Sequence, residues 1–374
     1  MTDRQAPATP PPRTRSRSRS RAILQWLHLW LGLSLGTAFA LVALSGTVLA
    51  FQRELALWAY PQLQRDAAIT PQQRSQALQR IVGQWQSQGM TSLDLPTTQL
   101  PVWQGYFPDN ERRYFDPASG ELLLTRNTGN DAVLWLRDLH THLLSGKTGE
   151  QVLGVVGLVA VFMLLSGLYL WWPRWSALAA SLKWYRGPPT RRWLSWHRGL
   201  GLWLLPLTLL AALTGTAMVY DEVARNALRA AFGDGKPPKP PKLAASDQPA
   251  DWDAVLRVAD SAVAPGGGLA GAQLRRIGLP KSGSGLVSIR ARMPAEWHPV
   301  GRSQVWIDPY RGAVIGAQDA TAQGRGSRSF DAIYPLHGGF VGGRAWQIAI
   351  ALTGLVPAFL LVTGFLFWRR RRGR

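Results

Sequence analysis

The 374-residue chain has no cysteine. That absence excludes disulfides, thiolate-held iron–sulfur or blue-copper centres, cysteine-type zinc sites and covalent haem attachment through C-x-x-C-H. Any metal chemistry must rest on His, Asp, Glu, Tyr, Met or backbone groups. Acids are scarce, with 22 Asp and Glu against 42 Lys and Arg and a formal net charge of +20. The chain also has no G-x-S-x-G elbow, Walker loop, H-E-x-x-H or dinucleotide fingerprint in a β-α context. A flavin or nicotinamide domain has no segment in which to fold.

Charge is missing altogether from four runs: 22–52, 151–173, 199–220 and 345–368. Each exceeds the roughly 20 residues a helix needs to cross a bilayer core. We expect four transmembrane helices, the first a retained signal anchor because no cleavage site follows it. The basic residues then mark orientation. Residues 1–21, 173–198 and 369–374 hold 17 of the 42 Lys and Arg but one of the 22 acids. All three are expected in the cytoplasm, against anionic lipid. The rest of the chain carries 25 basic residues and 21 acids, so the charge is a topology signal and no nucleic-acid partner is expected.

The resulting plan is a basic tail (1–21), helix one (22–52), an outward module (53–138) and helix two with its outer lead-in (139–173). A basic loop (174–196), helix three (197–220), a second outward module (221–335), helix four with its lead-in (336–368) and a basic tail (369–374) follow. Of the 18 Trp, eight lie near helix ends, among them Trp26, Trp171 and Trp368, and read as an interfacial belt.

The chain is duplicated. A shift of 169 positions lays His28, Leu31-Gly32-Leu33 and Leu44-Ser45-Gly46-Thr47 on His197, Leu200-Gly201-Leu202 and Leu213-Thr214-Gly215-Thr216. A shift of 197 lays Leu139-His140, Gly146, Gly157, Gly167 and Trp171 on Leu336-His337, Gly343, Gly354, Gly364 and Trp368. The outward segments repeat too. Phe115-Asp116-Pro117-Ala118-Ser119-Gly120 and Ile307-Asp308-Pro309-Tyr310-Arg311-Gly312 each place a D-P-x-x-G turn between apolar strands, which reads as a β-hairpin. Helices are expected upstream of them at 72–88 and 252–263. Equivalent helices run the same way, so the pseudo-twofold axis should follow the membrane normal.

Of the six His, four fall at symmetric places. His28 and His197 lie near the cytoplasmic ends of helices one and three. His140 and His337 lie outside helices two and four. Each face thus receives one imidazole from each repeat, the set needed for bis-imidazole ligation of two b-type haems in apolar slots. Gly32, Gly36 and Gly201 would let a porphyrin approach the backbone, although Gly32 and Gly36 also form a helix-packing G-x-x-x-G. Two other readings stand: each His keeps a polar edge wet at the interface, or the pairs hold a bare metal ion. The repeat favours His140, whose counterpart is His337, over His142, whose counterpart is Gly339; His142 remains the alternative ligand. His298 reads as a solvated loop residue, with substrate contact as the alternative. Trp103, Tyr106, Trp297 and Trp306 read first as strand-core packing, with an outer aromatic platform as the lesser alternative.

The motifs W-L-H-L-W-L-G-L (26–33), L-S-G-T (44–47), L-H-T-H-L-L-S-G (139–146), S-G-L-Y-L-W-W-P (166–173), W-H-R (196–198) and L-H-G-G (336–339) together resemble the PepSY-associated transmembrane family. That family includes bacterial inner-membrane ferric-siderophore reductases of the FoxB kind. The resemblance implies an α-helical membrane protein with extracytoplasmic α+β PepSY-like modules, in the inner membrane with both termini cytoplasmic. It implies two haem b, a separate electron donor, and a ferric siderophore reduced in the periplasm to release Fe(II). A haem-free, membrane-anchored PepSY protein that binds or regulates an envelope partner is the alternative. A transporter is a third reading, opposed by the lack of charge in the four runs.

Overall fold

The computed structural model describes residues 19–372, apart from 67, 174 and 282. The expected basic tails therefore lie partly outside the described residues. Gly146–Trp171 and Gly343–Arg372 are each long and apolar enough to cross a membrane. Two helix pairs meet the same test together. They are Arg19–Leu33 with Leu35–Leu49, bent by 49°, and Pro189–Trp203 with Leu205–Val219, bent by 65°.

Both bends have a local cause. Ser34 Oγ donates to Trp30 O at 2.7 Å, a side-chain competitor of the helix ladder. Pro206, in the first turn of Leu205–Val219, lacks the N–H that would continue the preceding helix. The helix of the third segment starts at Pro189, within the stretch 174–196 expected as a basic loop. Proline at a helix start loses nothing, because that N–H has no intrahelical partner.

Only 22% of the most apolar window of Gly146–Trp171 is buried within the protein. Val152, Val155, Leu158 and Leu165 point outward uncovered. An apolar face of that extent is a lipid-facing surface. Between the repeats, small residues let helices approach. A Cβ on Gly157 would sit 2.3 Å from Thr216 Oγ1, and one on Gly354 2.3 Å from Thr47 Oγ1. These contacts are repeat equivalents, and Thr47 Oγ1 also donates to Ala351 O at 2.9 Å.

Among the described residues, eight strands form one antiparallel sheet: β1 (Ser92–Asp94), β2 (Trp103–Tyr106), β3 (Arg112–Phe115), β4 (Leu122–Arg126), β5 (Gln273–Gly278), β6 (Val287–Arg292), β7 (Ser303–Asp308) and β8 (Ala313–Gln318). Their order is β4-β3-β2-β1-β5-β6-β7-β8. The two outward modules are therefore two four-stranded meanders fused through β1 and β5, where Leu93 faces Ile277 and Asp94 faces Arg276. Both expected hairpins form. Asp116 Oδ1 accepts from the Ala118 and Ser119 N–H groups, and Asp308 Oδ1 from those of Tyr310 and Arg311. Gly120 and Gly312 close the turns at φ 71° and 59°, where a side chain would be strained.

The expected helices appear as Pro71–Trp85 and Trp252–Val263. They pack on each other and on one face of the sheet. Leu78, Ile81, Val255 and Leu256 share a single core there with Leu93, Phe115, Ile277, Ile289 and Ile307 from both meanders. Trp103 and Trp306 are buried. Trp103 belongs to that core, and its indole N–H donates to Pro117 O at 3.1 Å. Trp306 is buried outside that core, on the opposite face from Val305 and Ile307, which belong to it, so neither Trp can serve the aromatic platform. Trp297 is exposed and Tyr106 is hydrogen-bonded to Asp94, so the four do not form one surface.

Candidate functional site

The four paired histidines meet as the duplication requires. The rings of His28 and His197 have centroids 6.5 Å apart, and those of His140 and His337 6.1 Å apart. Each pair draws one member from each repeat. His140 sits on the helix Ala132–His142, whose first turn is capped by Asp131 Oδ1 accepting from Leu134 N–H. His337 ends the short helix Ile333–His337. His142 points elsewhere: its Nδ1 lies 2.7 Å from Thr141 Oγ1 and 3.2 Å from Asp138 Oδ1. The ring that faces His337 is that of His140.

A second set of residues holds these rings, and it follows a simple rule. Each imidazole lies against a Ser-Gly or Thr-Gly dipeptide of a neighbouring bundle helix. His28 Nδ1 is 2.9 Å from Ser166 Oγ, and His140 Nδ1 is 3.0 Å from Ser45 Oγ. His337 Nδ1 is 3.1 Å from Thr214 Oγ1, and His197 Nδ1 is 3.3 Å from Thr363 Oγ1. All four hydroxyl-bearing residues are buried. Three imidazoles also donate to a backbone carbonyl: His140 to Val42 at 2.8 Å, His197 to Leu360 at 2.9 Å and His337 to Ala211 at 3.1 Å.

The glycine of each dipeptide leaves room for the ring. A Cβ would lie 2.9 Å from His140 Cε1 at Gly46, 3.0 Å from His337 Cε1 at Gly215, 3.1 Å from His28 Cε1 at Gly167 and 3.3 Å from His197 Cε1 at Gly364. In the sequence, Ser45-Gly46 and Thr214-Gly215 are repeat equivalents, as are Gly167 and Gly364. Their partnership with the histidines appears only when neighbouring helices come together.

This arrangement answers which ring nitrogen is available. A proton on Nδ1 given to a carbonyl leaves Nε2 with its lone pair free, the state of a metal-ligating imidazole. Two metal–nitrogen bonds of about 2 Å, with the imidazole half-widths added, put ring centres roughly 6 Å apart, and both pairs match. A cavity of about 650 Å³ opens at the inner pair, lined by His28, His197, Gly32, Gly167, Gly201 and Gly364. Its volume lies in the range of small-molecule and cofactor sites. Arg198 and Arg371 also line it. This slot would accommodate a flat macrocycle, with His28 and His197 the residues to hold it from either repeat. No group of three or more His, Asp or Glu converges among the described residues.

The family model for the PepSY-associated TM region matches residues 25–371. The chain belongs to that family. Comparison with curated proteins found no match. As a member of the PepSY-associated TM family it is a membrane protein, and the match spans both His pairs and the whole sheet between them.

His298 departs from its expected role. It is buried, and its ring packs on Tyr334 with centroids 5.2 Å apart. Burial, then the nearby guanidinium groups of Arg302, Arg290, Arg276 and Arg292, push its pKa down to about 3. Nothing in that charged turn signals this burial; its cause is the packing of the turn against the helix bearing His337.

Proposed function

We propose that this chain is a diheme, b-type oxidoreductase of the bacterial inner membrane that reduces a ferric siderophore on the periplasmic side and releases Fe(II). In this reading the two long helices and the two bent pairs make four spans, with both termini cytoplasmic. The placement of 17 basic residues and a single acid in 1–21, 173–198 and 369–374 supports that topology. The sheet then stands in the periplasm.

The observation that carries the reading is the repetition of one His–hydroxyl–Gly arrangement four times, giving two facing imidazole pairs. His28 and His197 would hold one haem, and His140 and His337 the other. When bound, haem supplies a one-electron couple at each site. The protein's own part is to present Nε2 from both sides and fix the rings through Nδ1. It also keeps the inner slot apolar with Leu29, Leu164 and Phe365. Arg198 and Arg371 offer guanidinium partners for carboxylates of the inner group. A separate donor must deliver electrons at the inner face.

Reduction suits release. Hard oxygen donors grip Fe(III) and hold the less charged Fe(II) far less tightly. The purified protein should show a reduced-minus-oxidised spectrum with a b-type α band. Protein reduced beforehand should be reoxidised by ferric siderophore, with Fe(II) trapped by a chelator. Absence of the band sinks the haem assignment and leaves a haem-free binding protein. A band that stays reduced leaves a cytochrome with another acceptor.

A further inference from the structure

The face of the sheet turned away from its two helices is unusually cationic. Strand alternation puts Leu93, Ile277, Val287, Ile289 and Ala291 in the core. Their neighbours Asp94, Arg276, Arg290 and Arg292 therefore lie on the opposite face. Cross-strand pairing sets Asp94 beside Arg276, Arg276 beside Arg290, and Tyr106 beside Arg112. The guanidinium of Arg276 lies 4.3 Å from the Tyr106 ring centroid and that of Arg112 5.8 Å.

This face looks toward the outer His pair. Asn110, between β2 and β3, donates to Asp138 Oδ1 at 3.1 Å on the helix that carries His140. His298 packs against Tyr334 of the helix that carries His337. Arg137 and Tyr334 are themselves repeat equivalents, each three residues before its histidine and so on the same side of its helix. They border the sheet face from below.

The acids within this space are already engaged. Asp94 accepts from Arg276 at 2.9 Å and from Tyr106 Oη at 2.8 Å. Asp331 lies 3.6 Å from Arg302. Glu296 accepts from the backbone N–H groups of Met293 and Ser303. Arg112, Arg137 and Arg290 have no carboxylate within 4.0 Å among the described residues, and Arg302 Nε is buried without a hydrogen bond. Burial, then Arg302 and Arg276, lower the pKa of Arg290 to about 10. Burial, then Arg112, lower that of Arg137. Asp94 and Asp331 offset part of this charge at Arg290, and Asp138 part of it at Arg137, but neither guanidinium has an ion-pair partner of its own among the described residues.

We infer that this chamber, framed by Arg112, Arg137, Arg276, Arg290 and Arg302, is a docking site for an anionic, oxygen-rich ferric chelate. The inference rests on the reductase reading for the metal in the chelate; the anion site itself needs only the geometry above. Partly buried guanidinium groups give strong charge-assisted hydrogen bonds to carboxylate or catecholate oxygens. Convergent positive charge also raises the local concentration of an anion, and salt weakens the effect.

Redox-inert gallium(III) chelates test the site without any electron transfer. The full chain in lipid nanodiscs should bind a gallium(III) tris-catecholate at least tenfold more tightly than a neutral gallium(III) trihydroxamate at low salt. Raising the salt should narrow the difference. Arg290→Gln and Arg137→Gln, on separate elements, should each weaken the anionic chelate about tenfold and leave the neutral one unchanged. Arg137→Lys should recover part of the loss. Arg80→Gln, on the other side of the sheet, should change neither. Equal affinity for the two chelates, or an anion preference that survives both glutamine variants, overturns the inference. The two readings fail separately. A chain that selects the anion but has no haem band keeps the chamber and loses the reductase. A chain that reduces neutral chelates as fast, with no anion preference, keeps the reductase and loses the chamber.

Discussion

His28 Nδ1 and Ser166 Oγ are 2.9 Å apart, and Ser166 Oγ in turn donates to Met163 O at 3.1 Å. The other three paired histidines reach a backbone carbonyl directly. His28 depends on the serine. Ser166→Ala should therefore weaken haem retention at the inner pair by about tenfold, the scale of losing a partner that orients a metal ligand. Ser45→Ala, Thr214→Val and Thr363→Val should each cost less. Haem content per protein after gel filtration measures the difference, and equal losses in all four would refute the asymmetry.

The choice between two adjacent histidines is testable in the same way. His140 faces His337, whereas His142 lies against Thr141 and Asp138. His140→Ala should remove about one haem equivalent and His142→Ala none. His28→Ala should likewise remove one, from the other pair. A reversed result for the first two would move the ligand to His142.

Much of this was legible in the sequence, and the reasons are specific. The uncharged runs, the offsets of 169 and 197 and the D-P-x-x-G turns each reflect a local rule, so the apolar helices, the His pairing and both hairpins could be read from spacing. What could not be read depended on distant segments meeting. Nothing near Leu93 announces that it faces Ile277 and joins the two meanders. Gly167 and Gly46 look like ordinary small packing residues until His28 and His140 lie against them. His298 sits in a turn-rich region, yet it is buried against the helix that carries His337.

The glycines offer a matched pair of substitutions. Gly167→Val would push a branched side chain against the His28 ring, already 3.1 Å from where a Cβ would lie. Overpacking of this kind costs about 1–3 kcal/mol, and it should appear as loss of the inner haem signal. Gly83, helical and exposed on Pro71–Trp85, has nothing within 4 Å of such a Cβ. Gly83→Ala should raise stability by about 0.5–1 kcal/mol through helix propensity and a less flexible unfolded chain. Thermal melting with haem quantification separates the two effects.

Asp131 links the sheet to the outer pair. Its carboxylate takes two hydrogen bonds from buried Arg126, at 2.8 and 3.0 Å, and one from Tyr60 Oη at 2.7 Å. It also caps the helix that carries His140. Asp131→Ala would leave a buried guanidinium unpaired, at a cost of about 3–5 kcal/mol, and remove the cap. The outer haem should be lost before the inner one in a denaturant titration followed at both bands. Simultaneous loss would show that the cap does not hold His140 separately.

His298 gives the protein an acid-sensitive element outside the bundle. Its folded pKa of about 3 lies below the ordinary value of 6.5. The unfolded chain therefore binds a proton that the folded chain refuses, and stability falls as pH drops from 6.5 toward 3. One such proton is worth about 1.4 kcal/mol per pH unit across that window, or roughly 2 kcal/mol between pH 6.5 and 5. The ring accepts a hydrogen bond from Val300 N–H at 3.2 Å, and the side-chain oxygen of Asn can take that role without titrating. His298→Asn should lose less melting temperature than the parent protein between pH 7.5 and pH 5. An identical pH dependence in the two proteins would mean that His298 does not sense acid in the folded state.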